Sequence, residues 1–386
     1  MVRGHDATRR PGWLAGLAVT AALAVAGCSS AASQAPASSA AGSSVTSTAN
    51  AAAMENPNLD LGSSLGGSAA PGFKLVNQFG QPMSLSQFRG KVVLLGFEDS
   101  QCTTVCPLTT QSMLLAKELL GKAGSSVQLL GVDANPAATA VSDVMAYSRA
   151  HAMVNQWDFL TGSDAQLKAV WKSYDIAVQI ESGLIDHTPA LYVIDARGNL
   201  QKIYLTQMAY SSVTQAAQVI AEEVASLLPG HPRLSSLESL AAIAPQDPTA
   251  AVTLPAADGT GTVTLGPGKA RVVAFFATWL NETSDLKSEL ATLNAYAKAA
   301  AGKHLPGLTA VDETVTEPSA AAVGTYLHQV GTLSYPVALD ESGRVADGYG
   351  VQDQPWLEVV NSSGKIVWQH AGWVSLAALE KAAAAA

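Results

Sequence analysis

The chain has 386 residues, a formal net charge of −9 and 48% hydrophobic residues. That acidic balance excludes the electrostatic footprint of a nucleic-acid binder. Its three cysteines, Cys28, Cys102 and Cys106, are too few for a disulfide-stapled framework and leave one close thiol pair for chemistry.

Arg3, Arg9 and Arg10 precede an apolar stretch over residues 13–26, which runs into Leu23-Ala24-Val25-Ala26-Gly27-Cys28. A basic start, a short apolar core and small residues before a boundary read as a signal peptide over 1–28, too short for a membrane span. The small residues ahead of Cys28 resemble a bacterial lipobox, which implies cleavage and a lipid on Cys28. The expected location is extracytoplasmic, with the protein lipid-anchored to the bacterial cell membrane. Arg9-Arg10 matches little of the twin-arginine signal beyond the arginine pair itself, so the export route stays open. Residues 29–70 are rich in Ala, Ser and Gly and read as a disordered tether, because they offer too little apolar surface to offset ordering entropy.

About 315 residues follow, enough for two domains. The first spans 71–229. Runs at 73–76 and 83–85 around Asn77-Gln78-Phe79-Gly80-Gln81-Pro82 predict a hairpin. Continuous apolar runs at 91–97 and 127–133 predict buried parallel strands. Helices are expected after the cysteine loop through about Leu120 and near 137–151, 163–174 and 212–228, and strands at 190–195 and 200–204 around an Ala196-Arg197-Gly198-Asn199 turn. After a proline-bearing linker over 230–250, the same order recurs in 251–386, with a buried strand at 271–279, a helix over 284–300 and a final strand pair at 356–360 and 364–368. The expected fold class is therefore α/β: two tandem thioredoxin-like domains, each a central mixed sheet flanked by helices.

Cys102-Thr103-Thr104-Val105-Cys106-Pro107 follows the 91–97 strand and opens a helix. Positions i and i+4 share a helix face, and a helix N-terminus favours thiolate, the form that acts both as nucleophile and as metal ligand. Two chemistries stay open on these residues. In one, a thiol attacks a disulfide and its neighbour resolves it. In the other, both thiolates and His187 of Asp186-His187-Thr188-Pro189 hold a soft ion, copper(I) in preference to zinc. Thr188-Pro189 also occupies the place where thioredoxin-like folds commonly carry a cis-proline. No site role is expected for His151 or His231, and His304, His328 and His370 are too scattered for a second metal site.

The three-residue spacing of Cys102 and Cys106, the lead-in Phe97-Glu98-Asp99-Ser100-Gln101, the segment Trp157-Asp158-Phe159-Leu160-Thr161-Gly162 and Asp186-His187-Thr188 before 191–195 together resemble the Sco/SenC family of copper-binding assembly factors, over roughly residues 56–228. The resemblance implies copper, as Cu(I) or Cu(II), on Cys102, Cys106 and His187, with Asp186 beside the ligands. It also implies delivery to a respiratory cytochrome oxidase copper centre or another copper acceptor. Thiol–disulfide exchange at Cys102 and Cys106 is the alternative, and a copper or redox sensor the third reading. The segment Phe275-Phe276-Ala277-Thr278-Trp279-Leu280-Asn281-Glu282-Thr283 resembles the active-site strand and loop of TlpA-like thioredoxins, with Leu280 and Thr283 where that family has cysteine. No thiol follows Cys106, so the second domain is expected to be redox-silent and to serve as a binding or spacing module.

Overall fold

In the first half, the apolar runs become the centre of a six-stranded sheet. A computed structural model describes residues 59–181, 184–206, 208–235, 245–282 and 284–386. The expected signal peptide, Cys28 and most of the tether lie outside the described residues, as does Thr283. Strands β1 (Ser63–Ser64), β2 (Lys74–Val76), β3 (Pro82–Ser84), β4 (Val92–Glu98), β5 (Val127–Asp133), β6 (Trp157–Leu160), β7 (Val178–Glu181), β8 (Leu184–His187), β9 (Ala190–Ile194) and β10 (Leu200–Leu205) alternate with helices α1 (Val105–Leu119), α2 (Val141–Ala150), α3 (Asp164–Ser173) and α4 (Val213–Leu227). The sheet order is β1-β10-β9-β4-β5-β6. Strands β4, β5 and β6 run parallel, while β9 is antiparallel to β4 and β10 to β9.

Side chains on β4 alternate between two cores, as a strand buried on both faces requires. Val92 and Leu94 pack with Met113, Ala116 and Val224 under α1 and α4. Val93, Leu95 and Phe97 pack with Leu167 and Trp171 on the opposite face. Phe97 lies against Tyr174 and Tyr192, with ring centroids 5.5 and 6.0 Å away. Its removal leaves a cavity directly behind the strand that delivers the cysteine loop. Phe97→Ala is expected to cost about 3–5 kcal/mol in urea unfolding at constant m-value; a loss below about 1 kcal/mol would show that this core collapses to fill the gap.

Two expectations are corrected here. Residues 59–70, assigned above to the tether, are tied to the sheet edge: Leu59 is buried, Ser63 and Ser64 pair with Ile203 and Lys202, and Ala69 bridges to Asn199. Backbone pairing and a single buried leucine order a segment whose composition alone reads as a linker. Second, the cis X–Pro bond among the described residues is Gln354–Pro355, and Thr188–Pro189 is not cis.

The second half contains β11 (Val252–Pro255), β12 (Thr262–Leu265), β13 (Arg271–Phe276), β14 (Gly307–Asp312), β15 (Val337–Leu339), β16 (Trp356–Val360) and β17 (Ile366–Ala371), with helices α5 (Leu286–Ala300), α6 (Ala320–Val330), α7 (Arg344–Tyr349) and α8 (Leu376–Ala383). Its main sheet has the order β15-β14-β13-β16-β17. Strand β13 is parallel to β14 and antiparallel to β16, the arrangement that β4 has with β5 and β9. The described residues of both halves form one compact unit. Leu108, Tyr210 and Val213 share a buried cluster with Phe275, Val311 and Tyr349. His151, also buried, packs at a tilt against Tyr147 and against Trp279 of the second half, at centroid distances of 4.2 and 4.9 Å.

Candidate metal centre

Strand β4 ends at Glu98, the loop 99–104 turns, and α1 begins at Val105 with Cys106 and Pro107 in its first turn. Proline is tolerated there because the first helical N–H groups have no intrahelical acceptor. The loop is fixed by Asp99, whose Oδ1 accepts from Gln101 N–H at 2.8 Å and from Asn135 Nδ2 at 2.7 Å. Cys102 is half-buried and Cys106 buried, and both are free thiols.

Cys102 Sγ receives the backbone N–H groups of Thr104 and Cys106 at 3.4 and 3.5 Å, at the helix N-terminus. Cys106 Sγ receives the N–H of Asp99 at 3.3 Å. Hydrogen bonding from Cys106, helped by Thr104 and the loop N–H groups, holds the Cys102 thiol below its ordinary range. Burial pushes the Cys106 thiol well up, and its neighbour's charge pushes the same way. The pair is therefore asymmetric, with a half-buried thiol of lowered pKa beside a buried thiol of raised pKa.

His187 arrives on a hairpin, β7–β8, with Val178 opposite it. Its Nε2 lies 3.7 Å from Cys106 Sγ, and its Nδ1 lies 3.1 Å from the carbonyl oxygen of Thr188. A carbonyl only accepts, so Nδ1 carries the proton and the Nε2 lone pair faces the thiol. Burial lowers the imidazole's pKa, against the raising effect of the Thr188 carbonyl. Asp186 is exposed on the same strand, and its charge acts on His187 after that of Asp99. Cys102, Cys106 and His187 thus meet around the start of α1. Among the described residues, however, no three His, Cys, Asp or Glu side chains already form a metal-holding cluster. The donor types suit a soft ion, and the three side chains are not closed around a point.

Glu98 was not singled out by the sequence. It is fully buried, on the α1 side of β4, and neither carboxyl oxygen has a hydrogen-bond partner of normal geometry among the described residues. Burial pushes its carboxyl well above the usual range, and the charge of Cys102 adds to this. The legible signal was a charged residue closing an otherwise apolar strand run.

In the second half, the turn after β13 holds a buried Leu280. There Thr278 donates from its backbone N–H and, at 2.8 Å, from Oγ1 to the carboxylate of Glu317. A carboxylate–hydroxyl contact occupies this strand end, on a half of the chain without cysteine.

Residues 63–225 match the SCO1/SenC family model. The likeness to that family lies in this stretch. The SCO1 protein homolog of Bacillus subtilis (strain 168) is 26% identical over 137 residues, covering 34% of this chain and 71% of the relative. Apo Sco1 of Thermus thermophilus is similar at 26% identity, over 44% of this chain and 96% of its own, with a TM-score of 0.38. ScoI of Bradyrhizobium japonicum, solved with copper bound, is similar at 19% identity, over 42% of this chain and all (100%) of its own, with a TM-score of 0.37. The matched stretch ends within α4, so the second half lies outside it. No helix among the described residues is long and apolar enough to cross a membrane.

Proposed function

We propose that this chain is an extracytoplasmic copper-binding protein, held at the membrane through a lipid on Cys28, that delivers copper to a respiratory cytochrome oxidase copper centre. Cys102, Cys106 and His187 are the copper ligands in this reading. The observation that carries it is the approach of His187 Nε2, with its lone pair facing the thiol, to Cys106 Sγ in a stretch that matches the SCO1/SenC family model and whose second thiol sits at the same helix start. Two thiolates and an imidazole suit copper(I) and also accept copper(II). The copper is cargo: the chain's residues take it, shield it and release it. Asp186 lies next to the histidine, where it biases the charge of the site. The second half is a module for partner recognition.

The asymmetry of the thiols supports a second reading, thiol–disulfide exchange with Cys102 as attacking thiolate and Cys106 as the resolving thiol. Copper titration of the reduced protein, run beside an insulin-reduction assay, separates the two. The expected result is one copper per chain with a thiolate-to-copper charge-transfer band, and no catalytic insulin reduction. His187→Ala should weaken binding by about 10-fold or more without changing the melting transition. Rapid insulin reduction without stoichiometric copper binding would favour the exchange reading.

A further inference from the structure

The cysteine loop is not open to solvent on all sides, because the second half of the same chain is seated against it. Thr103, between the two cysteines, donates its hydroxyl to Asp353 Oδ1 across 250 positions of sequence. Asp353 is itself fixed: Oδ1 also accepts the N–H of Gln354 at 2.7 Å. Gln354 is buried and donates from Nε2 to the buried carboxylate of Glu313 at 2.6 Å. A second clasp lies next to it. Asp347 on α7 accepts the backbone N–H groups of Tyr210 and Ser211 at 2.8 and 2.7 Å, just before α4. Gly343 lies so close that a Cβ placed on it would come within 2.3 Å of Tyr210 Cβ.

We infer that the 347–355 segment is a built-in lid over the cysteine loop, with Asp353–Thr103 as its latch. Asp347 and the shared apolar cluster keep it seated. A partner that must touch Cys102, to take a metal or to exchange a disulfide, reaches it more freely when the latch opens. The lid exists whichever chemistry the two thiols perform. A latch of one hydrogen bond to a charged acceptor is weak enough to be broken by a competing partner and strong enough to bias the closed state.

The test measures alkylation of Cys102 in the reduced, metal-free full chain, with the labelled position assigned by peptide mass spectrometry. Asp353→Ala and Thr103→Val should each raise the rate roughly 10-fold, the effect of losing one charge-assisted hydrogen bond. The double variant should be no faster than either single one, since both remove the same contact. The thiol's apparent pKa, read from the pH profile of the rate, should stay where it is in the wild type, because access and not acidity has changed. Single-variant rates within about twofold of wild type would overturn the lid, as would a rate rise fully explained by a shifted pH profile. If Asp353→Ala loses its cooperative melt, Asp353→Asn with Thr103→Val decides the matter by the same criteria. No metal is present, so failure here leaves the copper reading intact.

Discussion

Serine in place of Cys102 or Cys106 is expected to leave a folded protein that no longer binds stoichiometric copper. Each substitution exchanges a soft thiolate for a hydroxyl that does not ionise at neutral pH, and so removes one of three proposed ligands. The loss in affinity should exceed about 100-fold, since even residues that only support a metal ligand cost 10–100-fold when changed. The two variants should differ in their fold. Cys106→Ser places a hydroxyl in a buried site facing His187 Nε2, whereas Cys102 is only half-buried. Cys106→Ser should therefore show the larger drop in melting temperature. The charge-transfer band and calorimetric titration report binding. Full stoichiometric binding in both variants would rule out the thiol pair as the site.

The other large effect expected is on stability against pH, and it arises in the second half. Glu358 is buried on β16, with Oε1 accepting from Trp356 Nε1 at 2.8 Å and Oε2 unpartnered among the described residues. Burial pushes its carboxyl up to about 8. Glu317 is pushed by burial to about 7, against the hydrogen bonds from Thr278. A carboxyl whose folded pKa is raised holds a proton that the unfolded chain has already released. Its contribution is fully present below the unfolded value of 4.5 and is lost as pH rises through the folded value. Below about 6.5, buried His151 works the other way, because burial lowers it to about 3 and the unfolded chain takes up a proton that the folded one refuses. Between pH 6.5 and 8.5 the Glu358 contribution therefore falls as pH rises, while the lowered Cys102 thiol contributes in the opposite direction, so the wild type is compared with a Glu358 variant. The Glu358 fall is on the order of 2 kcal/mol. Glu358→Gln keeps the acceptor for Trp356 and should remove that fall from the pH dependence in urea unfolding. An equal pH dependence in the wild type and the variant would show that Glu358 is not its source.

Much of the first half was legible because its signals are contiguous. Predicted strands at 91–97 and 127–133 appear at Val92–Glu98 and Val127–Asp133, since unbroken β-branched and leucine runs have few other ways to be buried. The helix expected at 163–174 is Asp164–Ser173, capped by Ser163 accepting from Gln166 N–H. The helix expected at 137–151 starts later, at Val141, because residues 134–140 form a loop tied by Asn135 to Asp99. The strand pair Val178–Glu181 and Leu184–His187 and the short strand Trp157–Leu160 were not anticipated as strands. Gln179, Asp186 and His187 break the apolar pattern, and a four-residue run is too short to display a period.

What the sequence determined by itself was local: the core strand, the close cysteine pair at the start of α1, the proline in the first turn of α1 and the absence of any later thiol; Cys102 itself lies in the loop before that helix, not one helical turn from Cys106 within it. Spacing along the chain decides such features, because one turn of helix or one pleat of strand sets the geometry. The tertiary structure alone decided three others. It brought His187 Nε2 to Cys106 Sγ through the register of β7 on β8, and it buried Glu98 beneath the thiols. It also set Asp353 against Thr103. Each of these depends on contacts far apart in sequence, and the energy that holds them belongs to the packing of whole sheets and helices, which no short stretch of residues carries.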